Sequence, residues 1–396
     1  MSTLKVGALQ GISASSDAIT LANDGTCTAN ITNNLSNRRL TINGDMRIAQ
    51  RGTSSTSSGH QTIDRFSVGL NQPDENPTQS QVDVASGTTP YTLGFRKAFK
   101  VTNGNQTSGA GVVDRVNIIH RIEAQDIANS GWNYTSSSSF ITLSFWVKSS
   151  VAQNFFGHIK TSDGTAYNYP FETGSLTANT WTKITKTIQG NSNLQFDNDT
   201  GEGLRISWFQ FAGTSNTGSN ATLNQWAVYD SAERMPDFTS TWYTTNNATF
   251  ELTGVQLEVS DYATSFEFLT FSDELRRCQR YFHKSGDIGQ PQEWFPGVAT
   301  YCQYGAVPAK CLDGDQDRAF YEGNFPVLMR DQPTIVFYPA RDGVANTAGN
   351  VSKYNSDTLV GLNTQPSSGC QRMIGYMATD TTHPAFTFQY TADAEL

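Results

Sequence analysis

The chain has 396 residues, more than one small domain holds, with a net charge of −9 and only 16% charged residues against roughly 25% in an average domain. Its basic residues never run longer than the pairs Arg38-Arg39 and Arg276-Arg277, so the clustered positive footprint of nucleic-acid binding is missing and no nucleic-acid partner is expected. No stretch approaches the roughly 18 uninterrupted apolar residues of a membrane span, so no membrane insertion is expected either. Ser, Thr, Asn and Gly supply much of the polarity, and with 11% aromatics this mixture suits β-strands joined by polar turns.

Residues 1–40 contain short strand-like pieces, AITLA and CTANIT, separated by turns such as Asn23-Asp24-Gly25. They hold too few large apolar residues for a core of their own, and the segment reads as an extended arm that orders by adding strands to a partner. The opening MSTLKVGALQGISASS lacks the charged-then-apolar layout of a secretory signal, so no secretory route is expected.

From 41 to 271 strands follow at the intervals of a two-sheet sandwich: RFSVGL, GFRKAFKVT, RVNIIHRIE, FITLSFWVKS, NFFGHIKT, TKITKTIQ, GLRISWFQFA, NQWAVYD and TFELTGVQLEV. Polar turn clusters such as SSTSSG and AGTSNTGSN separate them, and AQDIANS (124–130) is the one helical turn among them. The fold class is all-β, with a jelly-roll-like sandwich as its main body. Residues 272–285 read as a short linking helix, capped by Ser272, with Asp273 and Glu274 in the first turn and Leu275, Cys278 and Phe282 along one face. Strands return in ATYCQYGAV, PTIVFYPA and PAFTFQYTA, making 286–396 a second, smaller C-terminal β-domain.

Catalytic patterns are missing. There is no GxSxG, no P-loop and no GxGxxG after a strand, and the five histidines stand apart from one another, so the protein is not expected to be an enzyme or to carry a cofactor. LDGDQD places Asp313, Asp315 and Asp317 as the start of a calcium loop. Arg318 stands where the sharp-turn Gly belongs and Asn324 where the bidentate Glu belongs, so it is not an EF-hand. A solvated turn is the plainer reading there, with a structural calcium as the alternative. Cys27, Cys278, Cys302, Cys311 and Cys370 form an odd, unpatterned set that fits reduced thiols from cytoplasmic synthesis.

What remains is aromatic surface, which stacks on the C–H faces of sugars while Asn, Gln and Asp meet their hydroxyls. Trp208 shares a face with Leu204 and Ile206 and belongs to the core. Trp146 lies on the polar face of its strand, beside Thr142, Ser144 and Lys148, where it either lines a groove or is covered by a loop or a neighbouring subunit. Trp146, Trp226 and Trp242 are the candidate glycan contacts.

Four stretches in order, NNLSNRRLTINGDMRIAQRGTSS, SFWVKSS, FELTGVQLEVSDYATSFEF and DELRRCQRYFHKS, followed by FPVLMRDQPTIVFY and FTFQYTADAEL, carry a likeness. The chain resembles virion structural proteins of tailed bacteriophages, notably the tail-fibre type of marine podoviruses that infect cyanobacteria. The resemblance implies a homotrimer assembled in the host cytoplasm. Its residues 1–40 would attach to other virion proteins, its sandwich would resemble carbohydrate-binding modules, and its distal tip domain would meet host-surface polysaccharide. It implies no catalytic set. The alternatives are a capsid decoration or tail-adaptor protein without receptor role and, behind it, a polysaccharide depolymerase.

Overall fold

The computed structural model describes residues 6–10, 12, 19–25, 27–29, 38–285, 307–311, 318–339, 347–350, 357–359, 372–378 and 385–396. The chain divides into two units, Met1–Arg38 and Arg39–Leu396. In the first, β1 (Ala8–Leu9), β2 (Ile19–Leu21) and β3 (Cys27–Ala29) form an antiparallel three-stranded sheet. The expected turn at Asn23-Asp24-Gly25 joins β2 to β3, with Gly25 at φ +89°, a backbone conformation that favours glycine.

The second unit is built around a sandwich. Its strands are β4 (Ser54–Ser55), β5 (Phe66–Asn71), β6 (Thr78–Asp83), β7 (Lys97–Thr102), β8 (Arg115–Glu123), β9 (Phe140–Ser149), β10 (Asn154–Thr161), β11 (Tyr167–Ser175), β12 (Thr182–Gln189), β13 (Glu202–Ala212), β14 (Ala227–Val228) and β15 (Thr249–Val259). Short helices α1 (Thr89–Thr92), α2 (Ala124–Ala128) and α3 (Thr241–Thr244) lie between them. One sheet runs β14-β11-β10-β13-β8-β5 and the other β12-β9-β15-β7-β6-β4. The pairings β10 with β11, β9 with β12, β8 with β13 and β7 with β15 nest inside one another, and β15 and β13 also join β9 and β10. Nested antiparallel pairs divided between two sheets are a jelly roll, here widened by β4, β5 and β6.

Alternation drives this packing. In β9 Ile141, Leu143, Phe145 and Val147 are fully buried, and they meet Leu204, Ile206 and Trp208 of β13 across the sandwich. Phe145 and Trp208 pack edge to face with ring centres 5.7 Å apart, so Trp208 is core, as its strand pattern requires. In β10 Gly157 stands opposite Phe171 of the neighbouring β11, and its absent side chain makes room for the Phe171 ring.

Helix α4 (Phe271–Gln279) begins one residue earlier than its sequence suggested. Thr270, not Ser272, is its cap, with the hydroxyl accepting from the Asp273 amide at 3.2 Å. It also ends sooner, because Tyr281 turns inward and β16 (Phe282–Lys284) pairs with another strand. The buried face is therefore Glu274, Cys278 and Tyr281, while Leu275 is half-buried. Glu274 is enclosed because it accepts from the Arg39 guanidinium and the Asn43 amide, which ties the helix to the start of the unit.

Beyond the helix lie β17 (Val307–Cys311), β18 (Arg318–Asn324), β19 (Thr334–Pro339), β20 (Thr347–Asn350), β21 (Asp357–Leu359), β22 (Arg372–Ala378) and β23 (Ala385–Asp393). With β16 they form one antiparallel sheet in which β23 pairs with β16, β17, β19 and β20. Of ATYCQYGAV only Val307 falls in a strand among the described residues. The last residues close onto the sandwich through charge. Arg65 and Arg51 both reach Glu395, Arg51 also meets Asp393 at 3.0 Å, and Arg280 pairs with Glu123 at 2.7 Å.

Candidate functional site

Strands β8, β10 and β13 give their apolar positions to the core and present the others on the outer face of the sheet. Register then sets what stands beside what. Lys160 lies opposite Asn168 on one side and Arg205 on the other, and Arg205 lies opposite Arg121, so Lys160, Arg205 and Arg121 form a row across three neighbouring strands. Glu202 reaches two of them, with Arg205 Nη2 at 2.8 Å and Arg121 Nε at 2.8 Å. Burial alone would push the Glu202 carboxyl up, but hydrogen bonds from Arg205 and Ser162 and the charge of Arg121 hold it below the usual carboxylate range. Burial first, and then the Arg205 charge, lowers the pKa of both Lys160 and Arg121.

The floor beside this row is made of short polar groups. Ser67, Asn117, Ser207 and His158 are all buried on it. Asn117 is 4% exposed, and its Oδ1 has no hydrogen-bond partner among the described residues. Burial holds the His158 imidazole neutral, its pKa lowered to about 3, with the charges of Arg234, Arg205 and Lys160 adding to the effect. Residues 213–240 fold back over part of the sheet. Met235 joins Phe156, Phe209 and Ala212 in a small apolar cluster that seals one end of the face. The other end stays open and gains a wall: the Arg234 carbonyl accepts from Asn168 Nδ2 at 2.7 Å, and the Tyr229 ring lies 5.1 Å from Lys160 Nζ and 5.9 Å from the Arg234 guanidinium.

The tryptophans singled out from sequence lie elsewhere. Trp242 is a correction: it is fully buried at α3 within the sandwich core and presents no surface to a ligand. Trp226 is half-buried against Tyr169 at a 5.3 Å centroid distance and donates from Nε1 to the Gln189 carbonyl at 2.8 Å, so it closes the sandwich edge. Trp146 is half-buried on the outer face of the other sheet, in an aromatic patch with Phe95, Tyr91, Trp181 and Phe266. A bulge in β15 puts Gly254, at φ +64°, against it, and a Cβ there would come within 3.1 Å of Trp146 Cδ1. The three are not brought together in one site.

Asp313, Asp315 and Asp317 lie outside the described residues. Among the described residues no three His, Cys, Asp or Glu side chains group as metal ligands. His120 is buried, its Nδ1 bonded to the Arg65 carbonyl at 3.1 Å. Cys278 is a free, buried thiol whose pKa burial raises. Tyr229, Arg234 and Lys160 were not foreseen, because they come together only through strand register and a 28-residue insertion, spanning 213–240, that doubles back on the sheet.

No family model matches the chain, and no curated protein matches it in sequence. Among solved structures it is similar to the enzymatically active domain of bacteriophage CBA120 tailspike protein 4, at 10% identity and TM-score 0.30, over 56% of this chain and 21% of that one. It is similar to a putative sugar binding protein from Bacteroides thetaiotaomicron, at 10% identity and TM-score 0.31, over 56% of this chain and 100% of that one. A third similarity is to the N-terminal cellulose-binding domain of Cellulomonas fimi β-1,4-glucanase C, at 10% identity and TM-score 0.27, over 54% of this chain and 99% of that one.

Proposed function

We propose that the protein is a non-enzymatic virion protein of the tail-fibre type that attaches a phage particle to host-surface polysaccharide. The observation that supports this best is the open end of the β10–β13–β8 face, where the half-buried Tyr229 ring stands beside Lys160, Arg205 and Arg234 over a floor of short polar side chains. A sugar meets such a surface with its C–H face on the ring and its hydroxyls on the polar groups. Shallow faces of this kind bind weakly one at a time. A homotrimer, present in several copies per particle, gains residence time from simultaneous engagement. Residues 1–40 supply the attachment to other virion proteins by strand addition.

The test is immunogold imaging of particles with antibody raised against residues 286–396. Label on the tail is expected. Label over the head overturns the fibre reading and leaves a capsid decoration protein. Deleting residues 1–40 is expected to leave the rest folded and to abolish incorporation into particles. Steady release of reducing ends from envelope polysaccharide by the purified protein would make it a depolymerase instead.

A further inference from the structure

The row of Lys160, Arg205 and Arg121 is costly to the fold. Directly opposed side chains on one face of an antiparallel pair have Cβ atoms about 4.5–5.5 Å apart, and like charges placed so are destabilising. Here two successive strand pairs carry such an opposition, Lys160 with Arg205 and Arg205 with Arg121. Arg115 on the same face and Arg234 on the wall add to it: burial and then Arg234 lower the Arg115 pKa, and the Nε atoms of both arginines are buried without a hydrogen-bond partner among the described residues. Glu202 answers Arg205 and Arg121, but among the described residues no carboxylate pairs with Lys160, whose Nζ instead lies over Tyr229. In a chain with a net charge of −9, this is a local concentration of positive charge that packing does not require. Local charge conflicts that a fold retains are characteristic of binding sites, where the missing partner is the ligand.

We propose that this face binds an anionic saccharide, one bearing carboxylate or sulfate groups, held by Lys160, Arg205, Arg121 and Arg234 with a sugar ring against Tyr229. The inference rests on the glycan-binding reading above and narrows it to a chemical class. The anion completes the charge row. Glu202 takes the Nε and Nη2 of Arg205 and the Nε of Arg121, which orients both guanidinium groups and leaves their remaining N–H groups to a carboxylate or a sulfate. Lys160 contributes a point charge on a flexible stem, and Asn117, whose Oδ1 has no hydrogen-bond partner among the described residues, offers an acceptor to a hydroxyl.

The experiment is affinity electrophoresis of the full-length protein in gels containing polygalacturonate, a sulfated galactan, a neutral galactan or polyphosphate. It is repeated with Lys160→Gln and Tyr229→Ala, and each variant's thermal midpoint is measured alongside. Retardation by polygalacturonate or the sulfated galactan is expected, and which of the two retards identifies carboxylate or sulfate as the anion. Lys160→Gln is expected to weaken that retardation at least tenfold while leaving the thermal midpoint unchanged or higher, since it relieves a like-charge opposition. Tyr229→Ala is expected to weaken it as well. Retardation by the neutral galactan alone, with Lys160→Gln as wild type, overturns the anionic assignment and leaves the glycan reading standing. Retardation by no polysaccharide removes both. Retardation by polyphosphate equal to that by the acidic polysaccharides overturns the saccharide assignment in favour of unspecific polyanion binding.

Discussion

Replacing His158 by Gln separates one buried titration from all the others. His158 is 4% exposed, packed edge-on against Phe209 at 5.3 Å, and burial holds its imidazole neutral down to about pH 3. The unfolded chain takes up a proton at this residue near pH 6.5, and the folded one refuses it. Stability from this residue is therefore full above pH 6.5 and falls as pH drops from there toward 3. Between pH 7.5 and 5 the unfolded state gains about 1.5 pK units of binding advantage, which is about 2 kcal/mol. His60 and Asp64, with pKa values of about 4 and about 6, titrate in the same range but are common to both proteins, so the difference between wild type and His158→Gln cancels them. Urea unfolding at pH 7.5 and pH 5 measures it. The variant loses stability at both pH values for packing reasons, but its loss on acidification is expected to be smaller than the wild type's by about 2 kcal/mol. Equal losses in the two proteins would mean that His158 protonates in the folded state, and the account of a neutral, desolvated floor would be wrong.

Glu395→Gln removes the carboxylate shared by Arg65 and Arg51 and leaves the Arg65 guanidinium, 1% exposed and stacked 3.3 Å from the Tyr281 ring centre, uncompensated. A loss of about 3–5 kcal/mol is expected in thermal or urea unfolding, and a loss below 1 would show that the charge cluster is not what closes this corner. Gly157→Ala drives a methyl into the Phe171 ring, which lies 2.4 Å from the Cβ position, and is expected to cost about 1–3 kcal/mol, read by the same unfolding curves. Trp242→Ala, at a fully buried site, is expected to cost about 3–5 kcal/mol, while Trp146→Ala, half-buried, costs about 1–2. Similar losses at the two positions would contradict their different burial.

The sandwich was legible because its strands alternate cleanly, as in FITLSFWVKS, and because turn residues separate them. β11 was not foreseen: YNYPFETGS carries Pro170 in mid-run, and it survives as a strand next to the short β14 near the sheet edge. The cap of α4 was displaced because Thr270 and Ser272 both precede acidic residues, and only the burial of Glu274 decides the frame. Each cation of the binding face was visible as the polar member of its own strand. Their adjacency was not, since 40 residues separate β10 from β13 and 78 separate β8 from β13, and the strands meet only in the jelly roll's nested register. Trp242 misled for the opposite reason: it sits outside any regular strand, where alternation says nothing about which way a ring points.

Nesting also divides the proposed binding face into two kinds of part. Lys160, Arg205 and Arg121 belong to strands locked on both sides by ladders, so shifting any of them by one position would turn a whole strand inside out. Tyr229 and Arg234 belong to the insertion between β13 and β15, which neither sandwich ladder threads beyond the two residues of β14. Sequence change is thus cheap in the wall and expensive in the floor. If the face binds the acidic saccharide proposed above, a lineage can exchange the wall to suit a new sugar chain while the Lys160, Arg205 and Arg121 row stays where it is.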